Sequence, residues 1–383
     1  MENYEQFYIN GRWVDAHGQA KTDVLNPANL SVYARLSKAN QQDVDDAFAA
    51  ASEAFPAWSA TSSAEREALL MAVADEMENR FDDLIDAHVR SLGIPVHQAA
   101  EVQIEAPIEA VRYFASLAHR TEQSQQSDGM LIVREPVGVC ALINPWNYPL
   151  LQMIGKVAPA LAAGCTMVEK PSEETPTSDF IMAEIFDKVG LPAGVFNLIS
   201  GVGSEIGPMM SAHPLADMVS FTGSNRAGVS VAECAAPSIK RVCQELGGKS
   251  ALIITEDADL AAAVKFGVDN VFLNAGQTCD ALTRMLVPAS KYQQCLAIAE
   301  AAGNEHVVGD PSSAETTVGP LVSMRQKSMV DEYLDIGVAE GAGVLVGGPG
   351  APWQRHCPRS LLETARLCVS KAAVPSVSAQ VRC

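Results

Sequence analysis

Apolar positions change their spacing along the chain, and each change predicts a different kind of element. In the first fifty residues they fall in short runs. Phe7 to Val14 carries the dipeptide Asn10-Gly11, a hairpin turn signal, and Leu25-Asn26-Pro27 acts as a breaker further on. Short strands and turns are expected there. From Gln41 to about Leu92 the spacing becomes helical: Val44, Phe48, Ala51 and Phe55 share one face, and Leu69, Val73 and Met77 recur every fourth residue. Stripes of this kind are core packing rather than a cofactor box. Thr121 to Gly129 (TEQSQQSDG) is a polar stretch of nine residues, which suits the tip of a long β-ribbon better than a linker.

Between Ile132 and Phe221 strand-like and helix-like runs alternate. Val137 to Ile143, Thr166 to Lys170, Val195 to Ile199 and Met218 to Phe221 predict strands. Leu150 to Ala163 and Thr177 to Val189 predict helices, the second stopped by Gly190-Leu191-Pro192. This order predicts an α/β fold with a parallel sheet covered on both faces. In such sheets ligands bind beyond the carboxyl ends of the strands, so polar residues at those ends are the ones to weigh.

Composition narrows the class. The chain has 383 residues, 48% hydrophobic and 19% charged, which is globular and long enough for two or three domains. With 27 basic and 46 acidic residues the net charge is −19, a surface that repels phosphate backbones and argues against nucleic acid as a partner. No apolar run approaches the roughly 18 residues that span a bilayer, which argues against a membrane partner. The start, Met1-Glu2-Asn3-Tyr4-Glu5, is acidic and lacks the apolar core of a secretory signal. Nine cysteines, an odd number without CxxC pairs, point to reduced thiols rather than a disulfide framework or zinc site, and the seven histidines have no metal-ligand spacing. The expectation is a cytoplasmic enzyme without a metal.

The tail departs from the rest. Residues 353–383 contain no Gly, Asp, Asn, Ile, Phe, Tyr or Met, and hold five basic residues against the single acid Glu363. Cys357, Cys368 and Cys383 crowd into the same stretch. One reading is a divergent basic tail. The preferred one is out-of-frame translation from about Trp353.

Six segments carry candidate chemistry. Cys279 lies in Asn274-Ala275-Gly276-Gln277-Thr278-Cys279. A lone cysteine is more often a small buried hydrophobe, but these polar neighbours suit an exposed loop, Gly276 permits close backbone approach, and the cysteine N–H is placed to help bind an oxyanion. Glu245 precedes a Gly pair and the strand-like run Ala251 to Thr255; a solvated face is the ordinary reading, and a general base for water the functional one. Gly248-Lys249-Ser250 resembles the end of a phosphate-binding loop, but Cys243 stands where the first glycine of that motif belongs. Asn144-Pro145-Trp146-Asn147-Tyr148-Pro149 follows a strand; it reads as a turn, or as a turn that aims the Asn147 amide at a substrate oxygen. Lys170-Pro171-Ser172-Glu173 closes the next strand, the glycine-rich run Gly201 to Gly207 follows a third, and Phe221-Thr222-Gly223-Ser224 a fourth. Gly-rich turns before helices bind pyrophosphate on backbone N–H groups, a lysine holds ribose hydroxyls, and a carboxylate three residues on suits a 2′-hydroxyl.

Together these segments closely resemble the aldehyde dehydrogenase superfamily, NAD(P)-dependent enzymes that oxidise aldehydes to acids. The blocks NPWNYPL, VEKPSEETP, FTGSNRAG, QELGGKS and FLNAGQTCDALTRMLV stand in the family's order, with Cys279 34 positions after Glu245, and the resemblance spans roughly residues 5–352. It implies Cys279 as nucleophile, Glu245 as general base, and Asn147 with the Cys279 N–H as oxyanion hole. The implied product path is a thiohemiacetal and then a thioester on the cysteine. Lys170 and Glu173 would hold the adenosine ribose beside Ser172, and Glu173 favours NAD over NADP. Gly223 and Ser224 would lie under the pyrophosphate, and Trp146 and Ile143 would line the cofactor cleft. Asn144, Gly203, Gly207, Phe221, Thr222, Leu246 and Gly247 would complete the cofactor site.

The resemblance implies a Rossmann-type dinucleotide-binding domain (1–115 and 138–245), an oligomerisation ribbon (116–137), an incomplete α/β catalytic domain (246–352) and the aberrant tail. The family's later E-x-F-G-P block is missing; Glu184-Ile185-Phe186 mimics its start but continues with Asp187 inside a helical run ahead of Cys279. The family's C-terminal strands, which join subunits, are missing too, so a family-type homo-oligomer does not follow. The alternative to an aldehyde-oxidising enzyme is a silent remnant with at most weak dinucleotide binding.

Overall fold

Asn10 and Gly11 take positive φ values of 53° and 70° and turn the chain between two antiparallel strands. The structure, a computed structural model, describes residues 2–122, 124–347 and 367–369. Five strands come first: β1 (Glu2–Tyr4), the hairpin pair β2 (Gln6–Ile9) and β3 (Arg12–Asp15), then β4 (Lys21–Leu25) and β5 (Val32–Ser37). The expected helical stretch holds α1 (Gln41–Ser59), α2 (Ser63–Asn79) and α3 (Phe81–Ser91). Capping boxes start the first two. The Asn40 side chain accepts from the backbone of Gln42 and Asp43, and the Ser62 hydroxyl accepts from Glu65 N–H, contacts of this kind contributing about 1 kcal/mol each. Val44, Phe48 and Ala51 are buried as their spacing predicts, while Phe55 is half-buried.

His88, on α3, is fully buried, with Nδ1–H donating to the Leu84 carbonyl at 2.7 Å. Burial lowers its pKa from 6.5 to about 4. Between those values the unfolded chain binds the proton and the folded chain does not. The resulting stabilisation is complete above pH 6.5 and is lost as pH falls through about 4. A shift of that size corresponds to about 3 kcal/mol. His88→Leu is therefore expected to flatten the acid limb: its denaturation midpoint should fall less between pH 7 and 4.5 than that of the parent. Parallel acid limbs would refute this account.

The helix α4 (Ala106–Leu117) and a short helical turn (Ala118–Glu122) lead to β6 (Gln125–Ser127) and β7 (Met130–Ile132). The ribbon is antiparallel and turns at Asp128-Gly129, where both φ values are positive. It is shorter than the expected span 116–137, because Val111, Ala115 and Ala118 continue a buried helical stripe past its start.

From here strands and helices alternate: β8 (Val139–Ile143), α5 (Pro149–Ala162), β9 (Thr166–Lys170), α6 (Thr177–Lys188), β10 (Phe196–Leu198), α7 (Gly203–Ala212), β11 (Met218–Gly223), α8 (Asn225–Ala235) and β12 (Arg241–Leu246). Their sheet has the order β12-β11-β8-β9-β10-β2-β3. The pairs β11–β8, β8–β9 and β9–β10 are parallel, with Ile143 opposite both Lys170 and Phe221. The expectation of a purely parallel sheet needs correction. The N-terminal hairpin adds to the free edge of β10 antiparallel, through Leu198 opposite Tyr8, so the sheet is mixed. Strand order reverses between β8 and β11, a topological switch whose crevice lies at the carboxyl ends of those two strands. Every residue of β8 and β9 is buried. Glu184-Ile185-Phe186 falls within α6, where Glu184 is exposed and pairs with Arg80.

Two compact units divide the chain. The first comprises 1–24, 32–88 and 100–245, and the second 25–31, 89–99 and 246–383. In the second, β13 (Ala251–Ile253) precedes α9 (Leu260–Phe272) and runs parallel to β14 (Arg284–Leu286). The helices α10 (Tyr292–Asn304) and α11 (Met324–Ala339) come next, then β15 (Gly343–Val346), antiparallel to β16 (Leu367–Val369). Val264, Val268 and Phe272 pack with Cys295, Ala299 and Val318 in its core. Apart from β16, the tail from 353 lies outside the described residues. Among the described residues no helix is long and apolar enough to cross a membrane.

Candidate active site

The loop before Cys279 is held in a conformation that side chains normally avoid. Asn274, Ala275 and Gly276 are left-handed in succession, with φ of 51°, 57° and 78°. For the two non-glycine residues this costs on the order of 1–3 kcal/mol each, and such strain persists only where surrounding contacts impose it. Those contacts are present in the second unit. Asn274 N–H donates to Gln98 Oε1 at 3.2 Å, and Gln277 Nε2 to the Asn274 carbonyl at 3.0 Å. Gln277 Oε1 in turn accepts from Val322 N–H at 2.9 Å. Asn274 and Gln277 are buried, so these bonds are shielded from water. Cys279 itself is half-buried, and its carbonyl accepts from Gly248 N–H at 3.0 Å. A Cβ on Gly248 would stand 2.9 Å from that oxygen, so only glycine fits. Gly248 thus serves the cysteine loop, and Leu246 and Gly247 beside it are half-buried.

The remaining predicted residues lie in the first unit, most of them at strand ends. Asn144 and Asn147 are buried in the loop from β8 to α5. Asn144 N–H donates to the Lys170 carbonyl at 3.0 Å, and its Nδ2 donates to Glu169 Oε1. The Asn147 carbonyl accepts from Gln103 Nε2 at 3.0 Å, and that of Trp146 from the Thr175 hydroxyl at 2.9 Å. Both ends of the loop are therefore tied to fixed elements. At the end of β9, Lys170 Nζ pairs with Glu173 Oε2 at 2.9 Å, and Glu173 Oε1 accepts from Gly203 N–H at 3.2 Å. Burial pushes the Glu173 carboxyl up; the Lys170 charge and these donors outweigh it and hold it below the usual carboxylate range. A Cβ on Gly203 would sit 3.4 Å from Lys170 Nζ, and one on Gly207 would meet nothing within 4 Å. Ser172 is buried, its hydroxyl accepting from Glu174 N–H.

At the end of β11, Phe221 and Thr222 are buried and the Thr222 hydroxyl donates to Gln152 Oε1 at 3.2 Å. A Cβ on Gly223 would meet the Phe221 ring at 2.7 Å, and the Ser224 hydroxyl caps α8 by accepting from Ala227 N–H. The carboxyl ends of β9, β10 and β11 in the first unit thus present a buried lysine, a paired carboxylate, a glycine-opened helix start and a capped helix start. That donor set fits an adenosine ribose and a pyrophosphate.

Glu245 is exposed on β12, a strand not foreseen from the sequence because its positions show no clean alternation. A buried charge cluster was equally unforeseen. Lys156, the one charged residue on α5, donates to the Gln152 carbonyl at 3.0 Å. Burial lowers its pKa to about 8, while Glu169, Asp179, Cys243 and Glu245 act to keep it charged. Glu169 and Asp179 are themselves fully buried, and desolvation drives both carboxyls upward. The legible signal was three charged residues set among the apolar positions of α5, β9 and α6.

A model of the aldehyde dehydrogenase family matches residues 13–358. A 3-succinoylsemialdehyde-pyridine dehydrogenase from a Pseudomonas species is 47% identical over 354 residues, covering 92% of this chain and 74% of the relative. Aldehyde dehydrogenase C from Pseudomonas syringae, solved as a mutant with NAD+ and octanal, superposes with a TM-score of 0.93 at 41% identity, over 96% of this chain and 76% of that one. An aldehyde dehydrogenase from Bacillus cereus, solved with NAD+, gives 0.87 at 36% identity, over 91% and 72%.

Proposed function

The chain belongs to the aldehyde dehydrogenase family, and we propose that it oxidises an aldehyde to a carboxylic acid with NAD, through an acyl group carried on Cys279. The observation that carries this reading is the cysteine loop, with consecutive left-handed residues fixed by buried side chains and a glycine that only the cysteine carbonyl explains. The Cys279 thiolate attacks the carbonyl carbon and the C=O π electrons move to oxygen. The Asn147 amide and the Cys279 N–H donate to that oxygen; losing one such donor typically costs about 100- to 1000-fold. Bound NAD supplies the acceptor for the hydride that leaves the same carbon. Glu245 then takes a proton from water, which attacks the thioester, releases the acid and restores the sulfur.

Lys170, Glu173 and the Gly203 N–H are assigned to the adenosine ribose. The Glu173 charge, paired and partly buried, repels a 2′-phosphate. Glu173→Gln is expected to raise the NADP/NAD ratio of kcat/KM by about tenfold, equivalent to roughly 1.4 kcal/mol. Steady-state kinetics with the two cofactors checks it, and an unchanged ratio removes Glu173 from the ribose site.

The proposal as a whole is tested by mixing the purified chain with a short aliphatic aldehyde and NAD and following the absorbance of the reduced cofactor. Turnover supports it. A folded chain that binds NAD but yields no reduced cofactor overturns it in favour of the silent remnant. Ester hydrolysis that continues without any cofactor would instead indicate a thioester-type hydrolase.

A further inference from the structure

Two cysteines that the proposed reaction leaves unused stand together in the sheet of the first unit. Cys140 lies on β8 opposite Met167 of β9, and Cys165 precedes β9 two residues before that partner. Side chains two apart along a strand share a face, so both sulfurs point to the same side of the sheet. Both are buried in one core cluster, and the Cys140 thiol donates to the Cys165 sulfur. Backbone N–H groups of Val137 and Gly138 also point at Cys165, and the Arg66 charge acts on it. A cavity of about 310 Å³, lined by Ser59, Thr61, Arg66, Arg134, Pro136 and Ala163, lies against the segments that lead into the two strands, and neither sulfur lines it. Pro136 and Ala163 flank the pair in sequence, and Arg66 Nε donates to the neighbouring Ala162 carbonyl at 2.9 Å.

We propose that Cys140 and Cys165 form a second thiol centre, separate from Cys279, which hydrogen peroxide converts to a reversible disulfide. The Cys165 sulfur attacks one peroxide oxygen, the O–O bond breaks, and a sulfenic acid and hydroxide result. The Cys140 sulfur then attacks the Cys165 sulfur, the S–O bond breaks, and a second hydroxide leaves. The two thiol protons convert both hydroxides to water. The sulfur pair loses two electrons and the peroxide gains them. The donors around Cys165, the Cys140 thiol first among them, hold it below the ordinary thiol range and push Cys140 up, which makes Cys165 the attacking sulfur and Cys140 the resolving one. Diagonal neighbours in a sheet stand roughly 7–8 Å apart at Cα, beyond the range of a relaxed disulfide. The oxidised pair must draw Cys165 towards β8, so the bond is a labile one that mild thiols reverse.

The test uses the full chain carrying Cys279→Ser, treated with hydrogen peroxide near neutral pH, alkylated, digested and mapped by mass spectrometry. Cys140 and Cys165 are expected to disappear as free thiols together, at least about tenfold faster than the buried Cys295, and to reappear as one linked peptide pair that dithiothreitol separates. In Cys140→Ser the sulfenic acid on Cys165 should persist and be trapped by dimedone, while Cys165→Ser should leave Cys140 reduced. Free Cys140 and Cys165 alongside oxidised Cys234 and Cys243 would overturn the proposal. Oxidation of either sulfur in the Cys279→Ser chain without the link would also overturn it.

Discussion

Cys279→Ala is expected to abolish formation of the reduced cofactor from aldehyde, by at least about 1000-fold in kcat, while leaving NAD affinity within about twofold. Without sulfur there is no covalent adduct to fix the carbonyl carbon or to develop the oxyanion, so neither the Asn147 amide nor the nicotinamide has a reacting centre to act on. NAD binding should survive because the residues assigned to its ribose, Lys170, Glu173 and Gly203, are held by bonds among themselves within the first unit. Cys279 belongs to the second unit, in a loop whose shape comes from Asn274 and Gln277. Loop strain of this kind is set by the backbone, so alanine should leave the fold intact, and the thermal midpoint should move by no more than a few degrees. Turnover within tenfold of the parent would remove Cys279 from the reaction. Loss of both turnover and NAD binding, with a lowered midpoint, would show that the residue acts on the fold.

The features read correctly from sequence were those with a local physical cause. The Asn10-Gly11 turn needs two positive φ values, and the Val44–Phe48–Ala51 stripe needs only a helix and a core. The uninterrupted apolar run of β8 identified a strand buried on both faces. Features that depend on distant partners were not legible. The antiparallel addition of β2 to β10 joins residues 190 positions apart, Tyr8 and Leu198, and no local signal announces it. The ribbon strands fall inside the span that the resemblance implied, whose first residues are still helical. At the site, residue types and order identified the candidates, but not why the second glycine of QELGGK is needed. That reason is the Cys279 carbonyl, 31 positions further along, whose oxygen occupies the place of a Cβ. Lys156, Glu169 and Asp179 escaped notice because a charged residue in an apolar run looks like a solvated interruption until its burial is known.

Glu245→Gln separates the two halves of the reaction. If Glu245 activates water only after the acyl group is on Cys279, the variant should still complete the first half. It should then release close to one reduced cofactor per chain in a rapid burst and stall. Steady-state turnover should fall by about 100- to 10,000-fold, the usual range for loss of a general base. Intact-mass analysis of the stalled chain should show the acyl adduct, and peptide mapping should place it on Cys279. Glutamine keeps the size and hydrogen-bonding edge of glutamate, so the change isolates the proton acceptor. Burial is no obstacle to the test, because Glu245 is exposed on β12 and its replacement leaves no unpaired buried charge. The substitution also removes a negative charge that favours the protonated form of Lys156, whose pKa burial has already lowered. A burst of normal rate and amplitude followed by slow turnover assigns Glu245 to hydrolysis of the thioester. A burst slowed as much as the steady state would mean that the carboxylate is needed when the thiol attacks, and the division of labour between Cys279 and Glu245 would fail.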